Sequence, residues 1–291
     1  MRMIIDIDEQ DFLELIKALV KAQTPSSEII NKYEGIALKF KSAQISSVFI
    51  RIDGCKFEEH QRIIIDSENA KCCADIADVN NVDTEKIETV VIKSSDIDAI
   101  ISCAIIFYNK GLDVSNFDKR IVQLRDPVAS CNFCEKIRTA NISEHETIVK
   151  NSKNAKICAD FIIKVKEGMS SEDLLDVIME SGEYEYIVDI ASKDKLLDIE
   201  NIRRYILLKI IKNKNPLACY LYAISVKDAN RVLLLNIALL NPDPKYNNIK
   251  ERCREVLSYE VMDKEELDQA ISDYRRELRE PKKQEKHTSY F

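Results

Sequence analysis

Cys131-Asn132-Phe133-Cys134 has the spacing of a metal or redox site. Two thiols three residues apart can share a zinc ion or cycle through a disulfide. A zinc site of this kind needs a second pair, or histidines at matching spacing. The chain has no second pair, and the nearest histidine is His145. Cys72-Cys73 is an adjacent pair with no activating base close in sequence. His60, His145 and His287 fall in no metal-binding motif and read as solvated or capping residues. Among 50 acidic residues, Asp75, Asp160 and Asp189 stand out because they recur at one position of a repeat. Charges stay exposed or paired, so this position reads as solvated. No G-x-G-x-x-G, P-loop or nucleophile elbow is present. The expectation is a protein that is not an enzyme, with no catalytic residue, no metal and no cofactor.

Two features could make contacts rather than chemistry. Arg203, Arg204, Lys209, Lys212 and Lys214 form a basic band within a short stretch of an acidic chain. Its bland reading is an exposed helix face that balances nearby acids. Tyr290-Phe291 ends a polar tail, and aromatic residues are common interface anchors.

These residues must be positioned by a repeat. Ser152-Lys153-Asn154-Ala155-Lys156-Ile157-Cys158-Ala159-Asp160 has a near twin at Ser67-Glu68-Asn69-Ala70-Lys71-Cys72-Cys73-Ala74-Asp75. Weaker copies align with first residues at Ser94, Arg125, Ser181, Asn213 and Asn241, at a mean spacing of about 29 residues. Six residues after each start lies an apolar slot holding Cys73, Ile100, Cys131, Cys158, Ile187 and Cys219. Cys134 then shares the slot of Ile76 and Phe161, so both cysteines of the pair read as small core residues. The last copy has Asn247 and Glu251 in core slots and looks like a degenerate cap.

Each unit reads as two short helices. Ala155, Cys158, Ala159, Ile162 and Ile163 recur with helical spacing. Asn69 and Asn154 are placed to cap the second helix, and Pro127, Pro216, Pro242 and Pro244 follow the turn, where proline is tolerated. Gly111 and Gly168 mark the far end of that helix, where a left-handed residue stops it. Asp113 or Ser115, and Ser170 or Ser171, cap the helices that follow, and Ser143-Glu144-His145-Glu146 reads as a capping box.

The chain has 291 residues, 45% apolar and 32% charged, with a net charge of −7. It is globular, and its acidity disfavours general binding to nucleic acid. Nine cysteines without a secretory leader predict reduced thiols and an intracellular, cytoplasmic protein. The longest apolar run, Ala99 to Tyr108, is too short for a membrane and reads as a fully buried helix. Residues 1–55 read as N-terminal capping helices, the first with Phe12, Leu15, Ile16, Leu19 and Val20 on one face after residue 6. Thr24-Pro25-Ser26-Ser27 reads as a turn, and Val48 to Ile52 as helix despite its β-propensity. Residues 56–258 are the repeats, 259–280 a C-terminal capping helix and 281–291 a flexible tail.

The pattern Ser-x-Asn-Ala-Lys, followed by Cys-Ala-Asp and an apolar tail, resembles helix-turn-helix repeats of about 28 residues in uncharacterised bacterial and phage or large-virus proteins. That resemblance covers roughly Glu58 to Asn248 and carries no active site to transfer. It implies an all-α protein, an α-solenoid of stacked helix-turn-helix repeats with capping helices, wound as a right-handed superhelix. The function that follows is a protein–protein interaction module, a scaffold or inhibitor binding another protein through one face. The alternative is nucleic-acid binding through the basic band.

Overall fold

The computed structural model describes residues 8–21, 27–169, 171–257 and 261–279. The turn expected at Thr24 to Ser26, the cap candidate Ser170, His287 and the tail with Tyr290 and Phe291 lie outside the described residues. Those described form eighteen α-helices and one 3-10 turn, with no strand. The protein is all-α, as the periodicity predicts.

The chain forms two compact units, Met1–Ile148 and Val149–Phe291. The first holds α1 (Glu9–Lys21), α2 (Ser27–Phe40), α3 (Ala43–Phe49), α4 (Phe57–Asp66), α5 (Ala70–Ile76), α6 (Thr84–Lys93), α7 (Ile97–Asn109), α8 (Ser115–Leu124) and α9 (Pro127–Lys136). The division falls within α10 (Ile142–Asn151). The second holds α11 (Ala155–Lys164), α12 (Glu172–Ser181), α13 (Tyr184–Ala191), α14 (Ile199–Asn213), α15 (Pro216–Ser225), α16 (Arg231–Leu239), the 3-10 turn Pro244–Tyr246, α17 (Asn247–Leu257) and α18 (Lys264–Arg279). Helices alternate in role. In the first unit α3, α5, α7 and α9 pack each on the next, and α4, α6 and α8 do the same. In the second, α11, α13, α15 and α17 form one such series, and α12 packs on α14.

One turn joins the two helices of a pair, and its geometry is set locally. The hydroxyls of Ser67, Ser94, Ser152 and Ser181 donate to the carbonyl three residues back, at 2.6, 2.9, 2.6 and 2.8 Å. Each hydroxyl also accepts the N–H two residues on, at 3.1–3.2 Å. Where that second residue is Asn69, Asp96 or Asn154, its side chain accepts the N–H three residues further on and caps the next helix, at 3.0–3.1 Å. Pro127 and Pro216 sit in the first turn of α9 and α15. The residue before the cap is left-handed at Glu68, Arg125, Lys153, Gly182 and Lys214.

That left-handed residue corrects the alignment of one copy. Arg125, taken as a first residue, has φ 54° and matches Glu68 (φ 52°) and Lys153 (φ 53°), each one position later in the turn. Asp126 is the cap, accepting from the Ala129 N–H at 2.8 Å. The copy therefore starts at Leu124. Ser130, not Cys131, shares the slot of Cys73 and Cys158, and all three are 0% exposed. Phe133, not Cys134, sits with Ile76 and Phe161. Both cysteines remain buried, so the core reading of the pair survives with its slots shifted.

The same turn occurs once more, nearer the N-terminus. Lys41 is left-handed (φ 52°) and Ser42 caps α3. Phe49 and Ile50 fill the slots of Ile76 and Ala77, so α2 and α3 repeat the pattern inside residues 1–55. The stretch around Val48 is helical to Phe49, because its apolar side chains face α1, α2 and α4. Three residues before each start lie Ala37, Ile64, Val91, Ile121, Val149, Ile178, Ile210 and Ala238, all buried. Burial of each aliphatic side chain larger than alanine at this position contributes about 1.5–3 kcal/mol. Asn247 and Glu251 are exposed, as the degenerate last copy predicts.

Four local expectations need correction. On α1, Leu13 is buried beside Phe12 and Ile16, Leu19 packs part-buried on the same cluster, and Val20 is 39% exposed. α7 is buried on one face, with Ser102 exposed, rather than buried all round. Ser143 lies inside α10, where its carbonyl accepts from Thr147, and caps nothing. Ser171 precedes α12 but its hydroxyl turns back to the Met169 carbonyl. Gly111 (φ 72°) and Gly168 (φ 91°) are left-handed as expected, and no described helix is long and apolar enough to cross a membrane.

The corrected register has a consequence for stability. The Ser130 hydroxyl is buried with no hydrogen-bond partner, whereas the Cys158 and Cys73 thiols at its slot lie 3.8 Å from a carbonyl oxygen. Replacing an orphaned hydroxyl with a thiol removes a desolvation penalty, so Ser130→Cys should stabilise the protein by about 1 kcal/mol. Urea unfolding measures it. A loss of stability would place Ser130 in some other slot.

Candidate functional site

The thiols do not form a reactive centre. All nine cysteines are free, eight are buried, and Cys55 is half-buried. Burial pushes the thiols of Cys72, Cys158 and Cys253 up to about 11, and those of Cys73 and Cys103 to about 12. Burial, with the Asp118 charge adding to it, raises Cys134 as well. A thiol held protonated is a poor nucleophile and a poor metal ligand. Among the described residues no three His, Cys, Asp or Glu side chains are grouped to hold a metal.

The histidines differ most from expectation. His60 and His145 are 0% exposed, neither solvated nor capping. They hold the same repeat position, seven residues before Ser67 and Ser152. Each faces a carboxylate on the preceding pair. His145 Nε2 donates to Asp118 Oδ1 at 2.7 Å, and its ring lies 5.6 Å from that of Phe133. Its Nδ1 is buried without a hydrogen-bond partner. His60 Nε2 lies 3.4 Å from Glu34 Oε1, and Nδ1 lies 3.2 Å from the Ser46 hydroxyl. Its ring stacks on Phe49 at 5.2 Å.

The acids belong to a second recurring position, six residues before each start. Glu34 accepts the Lys56 N–H at 2.5 Å, Gln61 the Asp83 N–H at 2.7 Å, and Asp118 the Asn141 N–H at 2.8 Å. Each acceptor thus binds the chain where the next pair begins. In the second unit the same position holds Leu175, Leu207 and Leu235, all buried. The polar joints tie one pair to the next. The sequence carries a signal for them, an acid or amide recurring at one repeat position in the first unit.

The basic band is largely committed. Arg203 is 13% exposed, donates to the Ala191 carbonyl at 2.7 Å and pairs with Asp194 at 2.5 Å. Lys209 pairs with Asp176 at 2.7 Å and lies 4.9 Å from the Tyr205 ring centre. The hydrogen bonds it donates to Asp176 and Tyr205 hold its ammonium well above the usual lysine range. Lys214 ends α14 and lies 3.5 Å from Asp268. Arg204 is half-buried and Lys212 exposed. Lys214 also lines an open groove of about 610 Å³ with Arg275, Arg276 and Arg279. There Arg275 is bonded to the Ile211 carbonyl and Arg276 to Asp273. Asp160 and Asp189 pair with Lys164 and Lys193 one helical turn on, and Asp75 is exposed, so that position is solvated as expected.

The position that departs from its repeat is on α15. Four, eight and eleven residues after each start, the second helix of a pair turns outward. There α5 carries Lys71 and Asp75, with Asp78 just past its end, and α11 carries Lys156, Asp160 and Ile163. On α15 the same three are Leu217, Leu221 and Ile224, with Tyr220 beside them. Ile224 is 41% exposed and the others are half-buried. Among the described helices α15 alone is apolar at all three. An apolar row, part exposed, at positions that are mostly polar or charged in the other pairs is what a contact surface requires.

Two measurements check these assignments. Brief alkylation of the native protein should give one adduct, at Cys55, and fast labelling of Cys131 or Cys134 would reopen a thiol site. Burial, outweighing the Glu34 charge, holds the His60 imidazole below its ordinary pKa. The unfolded chain then takes up a proton that the folded chain refuses. Stability is full above about pH 6.5 and falls as the pH drops below it. His60→Gln should flatten that slope in urea unfolding. An unchanged slope would assign it to other groups.

No family model, characterised protein or solved structure matches the chain, so its function rests on the residues themselves.

Proposed function

We propose that the chain is an α-solenoid that acts as a protein–protein interaction module, with no catalytic role of its own. Support for the architecture is the recurrence of one turn and one set of core positions through paired helices that pack each on the next within each unit. Units of this size cannot bury their apolar faces alone and gain stability by stacking, which leaves an extended outer surface. The observation that carries the functional reading is the outward apolar row Leu217, Leu221 and Ile224 on α15. Buried thiols held in the protonated form, and histidines closed inside helix joints, support a non-catalytic reading.

The nucleic-acid alternative draws less support. Arg203 and Lys209 are engaged with Asp194 and Asp176, and phosphate binding would have to break those pairs.

The test is affinity capture from lysate of the source cells, with and without nuclease, using the wild-type chain and Leu221→Asp. The expected result is a stoichiometric protein that survives nuclease and is lost with Leu221→Asp. An aspartate in a desolvated contact costs well over a tenfold loss of affinity. Recovery of nucleic acid only, abolished by nuclease, would overturn the reading.

A further inference from the structure

Leu217, Leu221 and Ile224 are spaced by four and then three residues, the seam spacing of two helices packed along their length. Within the second unit α15 packs against α13 and against α17. At the equivalent outward positions these neighbours carry opposite charges. Glu185 and Asp189 lie on α13, Lys245 in the 3-10 turn before α17, and Arg252 on α17, all exposed. Asp189 and Lys245 also have local partners, Lys193 at 2.9 Å and Asp243 at 3.0 Å.

An apolar ridge edged by acid on one side and base on the other is complementary to itself under one two-fold axis and repelled under the other. An axis lying across the helices sets α13 over α13, acid on acid. An axis running along α15 sets α15 beside α15 and α13 over α17, acid on base. Isologous contacts of this kind are the commonest way a chain associates with itself, and like charges juxtaposed across an interface are costly.

We propose that this face is a self-association surface, on which a second copy of the chain packs about a two-fold axis along α15, with Glu185 facing Lys245 of its partner. The inference rests on the interaction reading above and names the occupant of that surface. Three helices of eight, ten and eleven residues side by side cover a face about 15 Å by 30 Å. Counted over both partners that is about 900 Å², below the roughly 1,200–2,000 Å² buried in stable specific complexes, so the dimer is weak and exchanges with monomer.

The experiment is sedimentation of the full chain over a wide concentration range. A monomer–dimer equilibrium is expected, weakened at least about tenfold by Leu221→Asp. Glu185→Lys and Lys245→Glu should each weaken it, and the two together should restore it, because the reversed charges again face each other. This charge swap lies on the surface and does not depend on how Leu221→Asp folds. A dimer indifferent to Leu221→Asp, or a double reversal weaker than either single change, overturns the proposal. A chain monomeric at every concentration also overturns it. If that monomer still captures another protein through Leu221, the interaction reading stands with a different occupant. If it captures none, both fall.

Discussion

A helix of ten residues leaves nearly as many backbone groups without an intrahelical partner as it satisfies. This protein has many such helices, and the rest of its structure depends on how one turn meets that demand. At four pairs a serine hydroxyl closes the end of one helix, and at five an asparagine or aspartate side chain opens the next. The left-handed residue between them costs about 1–2 kcal/mol where it is not glycine. It persists because it aims both helices so that their apolar faces meet. The core column from Ala37 to Ala238 then follows from the turn, since every member stands three residues before it.

The two units solve the joint between successive pairs by different physics. In the first, Glu34, Gln61 and Asp118 each reach forward to a backbone N–H where the next pair begins. A buried acceptor with a good donor specifies geometry, because a shift would leave it unpaired at a cost of several kcal/mol. In the second unit, Leu175, Leu207 and Leu235 fill the same position. Apolar contacts tolerate sliding and gain energy from area alone. The acidic excess of the chain also lies in the first 148 residues, the remainder carrying as many bases as acids. The candidate contact face belongs to the second unit, where long-range repulsion from net charge is least.

The residues able to do chemistry have mostly been spent on structure. Cysteines fill buried slots that Ile100 and Ile187 fill in other pairs, and a thiol there loses less on burial than a hydroxyl would. The Asp118–His145 pair shows the same economy. Burial raises the carboxyl of Asp118, but hydrogen bonds from His145 and from the Asn141 N–H outweigh it and hold the group below its ordinary range. It stays an acceptor for both, and that contribution is lost only when acid protonates it.

The sequence by itself determined the helices, their turns and the repeat that orders them. Capping bonds span two or three residues and helical periodicity spans four, so Ser67, Asn69 and Ala155 carry their structural roles in their immediate neighbours. What tertiary structure decided lies between residues far apart in the chain. The start at Leu124 rather than Arg125 is a local fact that shared cysteines obscured, because Cys131 resembles Cys73 in type but not in place. His145 meets Asp118 across 27 residues, and Arg203 is buried against the Ala191 carbonyl rather than held out as part of a basic band. Whether an apolar row is covered by a neighbour or left to water, as on α15, is likewise fixed only when the helices pack. Composition cannot specify it, since the same Leu and Ile are correct in either place.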